Sequence, residues 1–318
     1  MNVKKYTPVH HLHTAVLFMV FNRLDTTKQV FQAIREAKPP RLYIACDGVR
    51  IYRKDDIEKV QAVRDYVMQN IDWNCEVKTF FQKKNLGPKY ACTGAITWFF
   101  EHEEMGIILE DDCLPSQSFF WFCEEMLNKY KNYKDIFGVG GTNLISKVND
   151  NNSYIFSLHG TIWGWATWAN KWKKYNIDIG EDINYDILNQ YPTTLSEICS
   201  FKIILHLIKT TSYDSWDYQW LLTRIKHNGL TILPSVNLIT NIGFGHEDST
   251  HTTSKTNTKI KTKSGDIIFP LKHHSEIKRS LNYDKNLWLY KNGFISRIKT
   301  IIKFIKLKIL NFIIKEKK

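Results

Sequence analysis

Three consecutive acids, Glu110-Asp111-Asp112, follow the apolar run 106–109 and precede Cys113-Leu114-Pro115. Carboxylates crowded at the end of a buried strand repel one another unless something positive lies among them. Hard oxygen donors select Mg²⁺ or Mn²⁺ over softer metals. Strand alternation puts Glu110 and Asp112 on one side and Asp111 on the other. One side would then face a metal-bound diphosphate and the other a ribose hydroxyl. A solvated acidic turn is the plain alternative.

These acids need a scaffold, and the chain supplies one in regular order. Residues 14–21 form a fully buried strand, followed by a helix capped near Asp25 or Thr26. Residues 41–46 form a second strand ending in Asp47-Gly48, and a charged helix covers 54–70. Strand 75–82 leads through Asn85-Leu86-Gly87-Pro88 into helix 89–102, and strand 106–110 delivers the acids. Helix 116–131 and strand 136–140 follow. Such alternation predicts an α/β, doubly wound, mainly parallel sheet whose ligands sit off the carboxyl ends of the strands. Arg23, Asp47, Asn85 and the acid triplet all fall at such ends. In the second half, 154–175 is aromatic-rich, 183–210 and 216–228 read as helical, and 230–240 reads as one β segment. Residues 247–265 are rich in Ser, Thr and Lys and read as a loop.

Charge narrows the class. The 318 residues carry a formal net charge of +12. Residues from Lys255 onward hold 17 Lys+Arg against 4 Asp+Glu, so the preceding body is nearly neutral and no nucleic-acid partner is expected. Six scattered cysteines without a C-x-x-C pair predict reduced thiols and a cytosolic setting. No run approaches the roughly 20 apolar residues that a spanning helix needs. No glycine-rich phosphate loop follows strand 14–21, which argues against dehydrogenases and kinases.

Six short motifs then add up in order: Phe21-Asn22-Arg23, Cys46-Asp47-Gly48, Ile108-Leu109-Glu110-Asp111-Asp112, the stretch 163–168, Trp216-Asp217-Tyr218-Gln219-Trp220, and Asn241-Ile242-Gly243-Phe244-Gly245 with Thr250-His251-Thr252. Over about 12–255 the chain resembles GT-A-type glycosyltransferases, specifically the bacterial nucleotide-diphospho-sugar transferases related to N-acetylglucosaminyltransferase I. The resemblance implies a GT-A, Rossmann-like fold. It implies a Mn²⁺- or Mg²⁺-dependent hexosyl- or N-acetylhexosaminyltransferase that draws on a nucleotide-sugar donor, with UDP as the nucleotide. It also implies a glycan or lipid-linked acceptor and a place in bacterial surface polysaccharide synthesis. Asp112 would hold the metal, Asp111 the ribose, Asp47 the uracil and Arg23 the nucleotide, with Glu110 in support. The plain alternatives are that Asp47-Gly48 is a simple turn and that Arg23 caps its own loop or pairs with Asp25. A sugar-nucleotidyltransferase and a non-catalytic glycan- or lipid-binding protein are the competing readings.

The remaining candidates each carry two readings. Asp217 lies between Trp216 and Trp220, which could form a sugar platform, and would act as the general base of an inverting transfer. Equally, it could simply favour the dipole at a helix N-terminus capped by Asp214 or Ser215. His251 would add a second metal or diphosphate contact, or lie exposed in a polar loop, and His246 is a weaker candidate of the same kind. Trp165, Trp168 and Trp172 are spaced as one helical face, with Trp168 and Trp172 structural. Trp163 and Gly164 precede that helix as candidate walls of the donor site. The domain reading is a catalytic unit 1–254 (nucleotide half 12–145, acceptor half 146–254), a linker 255–286 and a basic amphipathic tail 287–318. In that tail Ile298, Ile301, Ile302, Ile305 and Ile309 recur at helical steps among lysines, suited to an anionic membrane surface at the inner face of the cell membrane. Packing onto the catalytic unit or onto a second copy, as a homodimer, is the alternative.

Overall fold

The computed structural model describes residues 6–8, 10–145, 152–211, 213, 216–246 and 263–316, with the side chains of 310–316 left aside. β1 (Val16–Val20), β2 (Arg41–Cys46), β3 (Glu76–Phe81) and β4 (Met105–Glu110) alternate with α1 (Leu24–Ala37), α2 (Asp56–Gln69) and α3 (Gly87–Phe100). Then come β5 (Cys113–Pro115), α4 (Ser118–Tyr130), β6 (Ile136–Gly140), β7 (Tyr154–Ser157) and β8 (Trp165–Trp168). The second half adds α5 (Ala169–Trp172), α6 (Ile179–Asp182), α7 (Leu195–Thr210), α8 (Asp217–Lys226), β9 (Leu230–Pro234) and β10 (Ile239–Asn241). It closes with α9 (Leu281–Lys291) and α10 (Phe294–Glu316).

The main sheet runs β3-β2-β1-β4-β8-β6-β9-β7. β1 pairs in parallel with β2 and β4, β2 with β3, and β6 with β9. β8 is antiparallel to β4 and β6, and β7 to β9. The expected mainly parallel α/β sheet is therefore present. β1 shows why both faces are covered. Val16, Phe18 and Val20 pack with Phe31 of α1, Val60 of α2 and Phe119 of α4. Ala15, Leu17 and Met19 pack with Ile96 and Phe99 of α3 on the opposite side. A strand buried on both faces reads as one continuous apolar run, which is what residues 14–21 show.

Four expectations need correction. Trp165 and Trp168 lie in a strand, β8, rather than on a helical face, and only Trp172 is helical. β8 is sandwiched between β4 and β6 and buried throughout, so its apolar spacing carries no strand period. The segment 230–240 is two strands in two sheets, because β10 leaves the main sheet to pair with β5. Of the expected linker, residues 263–286 pack onto the body: Ile267 and Leu271 join the main core, and Tyr283 is buried against Leu233 and Ile155. The expected single tail helix is two helices, α9 and α10, parted near Asn292-Gly293.

Candidate active site

The register of β1 against β4 brings Met19 opposite Glu110, so the chain leaving β1 and the acid turn emerge side by side. Arg23 is the N-cap residue of α1, and its carbonyl is already used by the Thr27 amide and hydroxyl. Its guanidinium is left to swing over the acids. It donates to Asp111 Oδ1 and pairs with Asp112 Oδ2 at 3.0 Å. The strand ends at Glu110 and the chain turns. Asp111 and Asp112 consequently converge on one arginine instead of taking opposite sides, and the positive group among the acids is Arg23.

Among the described residues, that single cation does not balance three carboxylates, and Glu110 Oε1 and Asp111 Oδ2 are buried without a hydrogen-bond partner. Burial, then the like charges of Asp112 and Asp111, push the Glu110 carboxyl up to about 8. Burial raises Asp111 to about 6 against the opposing pull of Arg23. Burial works against the Arg23 charge, but Asp111 and Asp112 hold its pKa above the usual range. Among the described residues the triplet does not bring three ligand oxygens within 4.8 Å of one another. A small hard cation does not need such a cage, since one or two carboxylates plus substrate phosphates commonly suffice. Orphaned carboxylate oxygens beside an excess of negative charge therefore fit such an ion.

The short β5–β10 sheet draws a second loop over this turn. Asn241 pairs with Cys113, and the Ile242 amide donates to the Asp112 carbonyl at 2.8 Å. Gly243 follows, and a Cβ there would collide with Asp112 Oδ2 and crowd Arg23. Phe244 meets Trp163 edge-on with ring centroids 5.5 Å apart. Gly164 has φ +59, and a Cβ on it would run into Ile239, so this glycine permits core packing. His246 pairs with Asp25 at 3.1 Å. His251 lies outside the described residues.

Asp47 is less available than its sequence position implies. Its carboxylate accepts from the amides of Gly48, Leu86 and Gly87 at 2.8, 2.9 and 3.0 Å, and from Asn85 Nδ2 at 2.9 Å. It thus clasps the turn that starts α3, where Gly87 has φ +76 and Pro88 follows. All its acceptor directions are used, which leaves none for a uracil donor without breaking that turn. Burial nonetheless leaves its pKa raised, against the pull of those backbone amides.

Asp217 opens α8 and is half-buried. Its flanking aromatics do not form a platform. Trp216 and Trp220 are 5% and 3% exposed and pack with Trp165 and Trp172. The charge of Asp217 is felt at Glu110, Cys92, Tyr175, Tyr213, Tyr218 and Lys291, so it shares one electrostatic neighbourhood with the acid turn. Burial and then Asp217 raise Tyr218 to about 12. Burial, followed by Glu110, Asp47, Asp111 and Asp217, holds the Cys92 thiol well above its usual range. The Tyr175 hydroxyl is buried without a partner. Cys92 and Tyr175 carry no motif, and only the folding of α3 and the 173–178 turn against α8 reveals them.

The sequence matches no protein-family model and no curated protein. Among solved structures the chain is similar to residues 1–349 of TarS from S. aureus, at 10% identity over 72% of this chain and 59% of that one, with a TM-score of 0.38. It is also similar to an active-site mutant of LgtC, at 10% identity over 86% of this chain and 95% of that one, TM-score 0.36. UDP-glucose pyrophosphorylase complexed with UDP-glucose is similar at 10% identity over 73% and 94%, TM-score 0.36. Likeness this distant bears on neither activity nor substrate.

Proposed function

We propose that this protein is a metal-dependent glycosyltransferase of GT-A type. It moves a hexosyl or N-acetylhexosaminyl unit from a nucleoside diphosphate sugar, with UDP as nucleotide, to a hydroxyl of a glycan or lipid-linked acceptor in bacterial surface polysaccharide synthesis. One observation carries the reading. A buried acid turn at the carboxyl edge of a parallel sheet is left short of positive charge, with Asp217 in the same neighbourhood.

Asp112, with the unpartnered oxygen of Asp111, would hold Mn²⁺ or Mg²⁺, which stabilises negative charge on a departing diphosphate. His251 is proposed as a further contact to that ion or to the diphosphate. Arg23 keeps Asp111 and Asp112 together so that both oxygens needed for binding stay in place. Asp47 shapes the loop 85–87 that would border the nucleoside. Trp163, through Phe244, backs the loop lying on Asp112. In the transfer, the acceptor oxygen attacks the anomeric carbon and its proton passes to Asp217. The bond from that carbon to the diphosphate oxygen breaks, and its electron pair leaves with the nucleotide. Attack opposite the leaving group inverts the anomeric configuration.

Attachment to the inner face of the membrane through α10 belongs to the same proposal. No described helix is long and apolar enough to cross a membrane. α10 leans on α7 with Ile301, Phe304 and Leu307 half-buried, while Ile298, Ile302, Ile305 and Ile309 form an exposed stripe, 41 to 54% exposed, among lysines. An apolar stripe between cationic side chains suits an anionic bilayer surface, where each Lys or Arg adds about 1 kcal/mol.

The test is a panel of nucleotides and nucleotide sugars with and without Mn²⁺. UDP with Mn²⁺ should raise Tm in the unaltered chain and not in Asp112→Ala. Transfer that survives in Asp217→Asn but not in Asp112→Ala would remove Asp217 as the base. Absence of any metal-dependent nucleotide binding would leave a non-catalytic binding protein.

A further inference from the structure

A second cluster of ligating side chains lies at the opposite end of β1. His10 and His13 immediately precede the strand, and Glu124 reaches them from α4. One donor atom from each lies within 4.8 Å of the others. We propose that His10, His13 and Glu124 form a zinc site, separate from the acid turn, that clasps the segment entering β1 onto α4.

The carboxylate is already fixed for this purpose. Glu124 Oε2 accepts from the His13 amide at 2.7 Å, the Thr14 amide at 2.7 Å and the Thr14 hydroxyl at 2.8 Å. Its other oxygen, Oε1, is thereby turned toward the imidazoles, 3.6 Å from His10 Nδ1 and 3.7 Å from His13 Nδ1. In a tetrahedral zinc site with metal–donor bonds of about 2.0–2.1 Å, neighbouring donors stand roughly 3.3–3.4 Å apart. Each imidazole therefore needs to approach that oxygen by only a few tenths of an ångström. They lie face to face, with centroids 5.7 Å apart and planes at 30°.

The backbone between them is held as well. Trp121 Nε1 donates to the His10 carbonyl at 2.9 Å, and Leu12 is buried in the core. The histidine side chains remain 50% and 77% exposed, so an ion can reach them without any opening of the fold. His10 Nδ1 lies 2.8 Å from the His11 carbonyl, and metal binding would exchange that contact for the ion. All three ligating side chains line one cleft, shared with Tyr6, Glu125, Lys129, Phe269 and His273. Imidazole with carboxylate is a zinc-type donor set, whereas the all-oxygen acid turn selects Mg²⁺ or Mn²⁺. β1 spans five residues, roughly 16 Å at strand rise. The clasp therefore sits at the amino ends of the parallel strands, away from the chemistry proposed above.

The experiment is Zn²⁺ titration of the chelator-stripped full chain, with excess Mg²⁺ present to occupy oxygen sites, read by calorimetry and by Tm. One Zn²⁺ should bind and raise Tm, and Co²⁺ in its place should show the intense visible absorption of a tetrahedral N/O site. His10→Ala and His13→Ala should each weaken binding by about tenfold or more and shrink the Tm rise at a given Zn²⁺ concentration. His11→Ala and Asp112→Asn should leave the isotherm unchanged, and sugar transfer by His10→Ala and His13→Ala should match the parent. Unaltered Zn²⁺ binding in the chain lacking both His10 and His13 overturns the proposal, as does the absence of saturable binding in the parent.

Discussion

Asn22 and Arg23 leave the end of β1 side by side, and each enters a buried cluster of arginine and carboxylate with opposite character. Asn22 donates to Asp56 Oδ1 at 2.9 Å, Arg50 Nη2 to the same oxygen at 2.7 Å and Arg50 Nε to Oδ2 at 2.5 Å. Both oxygens of Asp56 are thus satisfied. Burial pushes its carboxyl up, but the bonds from Arg50 and Asn22 outweigh that and hold it below the usual range. Arg23 instead meets Asp111 and Asp112 with Glu110 behind them, two carboxylate oxygens lack partners, and Glu110 and Asp111 are pushed up. The same fold therefore saturates one buried acid and leaves its neighbours short. The Asp56 cluster ties α2 to β1, and the other holds a deficit that a ligand can fill.

That contrast can be broken from the functional side first. Asp217→Asn should lower sugar transfer by about 10²–10⁴-fold while nucleotide binding persists, since it removes a proton acceptor and nothing from the acid turn. Steady-state kinetics beside a nucleotide titration would check this. On the structural side, Asp56→Ala strands Arg50 and should cost about 3–5 kcal/mol of stability in urea unfolding, with the nucleotide affinity of the folded fraction unchanged. Glu110→Met should do the reverse. It removes a buried carboxylate oxygen that has no partner, so stability in urea unfolding should rise by about 1–3 kcal/mol while transfer is lost. The smallest effect is in pH. With its folded pKa lowered, Asp56 contributes stability that is fully present above the unfolded value of about 3.9 and is lost as pH falls through the folded one. Parent and Asp56→Asn should therefore stay apart at neutral pH and converge only as pH falls below the unfolded value and through the lowered folded one.

The first half was readable because β1, β2, β4 and β6 are short, nearly continuous apolar runs, whereas α1 and α2 mix apolar with charged positions. Residues 41–46 and 136–140 match β2 and β6 at both ends. The run 106–109 announced β4, and the acids fall at its carboxyl edge. The second half resisted because burial there erases period. Trp165 and Trp168 are spaced as on a helix, yet an antiparallel strand between two others buries them equally well. Trp216 and Trp220 resembled a sugar platform, and become part of a tryptophan cluster only when β8 and α5 lie beneath them.

From the linear chain alone came the kind of sheet, the edge on which ligands would sit, and the acids placed there. Those follow from the apolar content and spacing of short segments, which act within a few residues. The fold decided which charge answers which. Arg23 meets Asp111 across 88 residues, Asp47 is spent on the turn before α3, and Glu124 reaches Thr14 across 110. Hydrogen bonds and ion pairs act over a few ångströms, so which acids are satisfied is known only when distant segments are brought together.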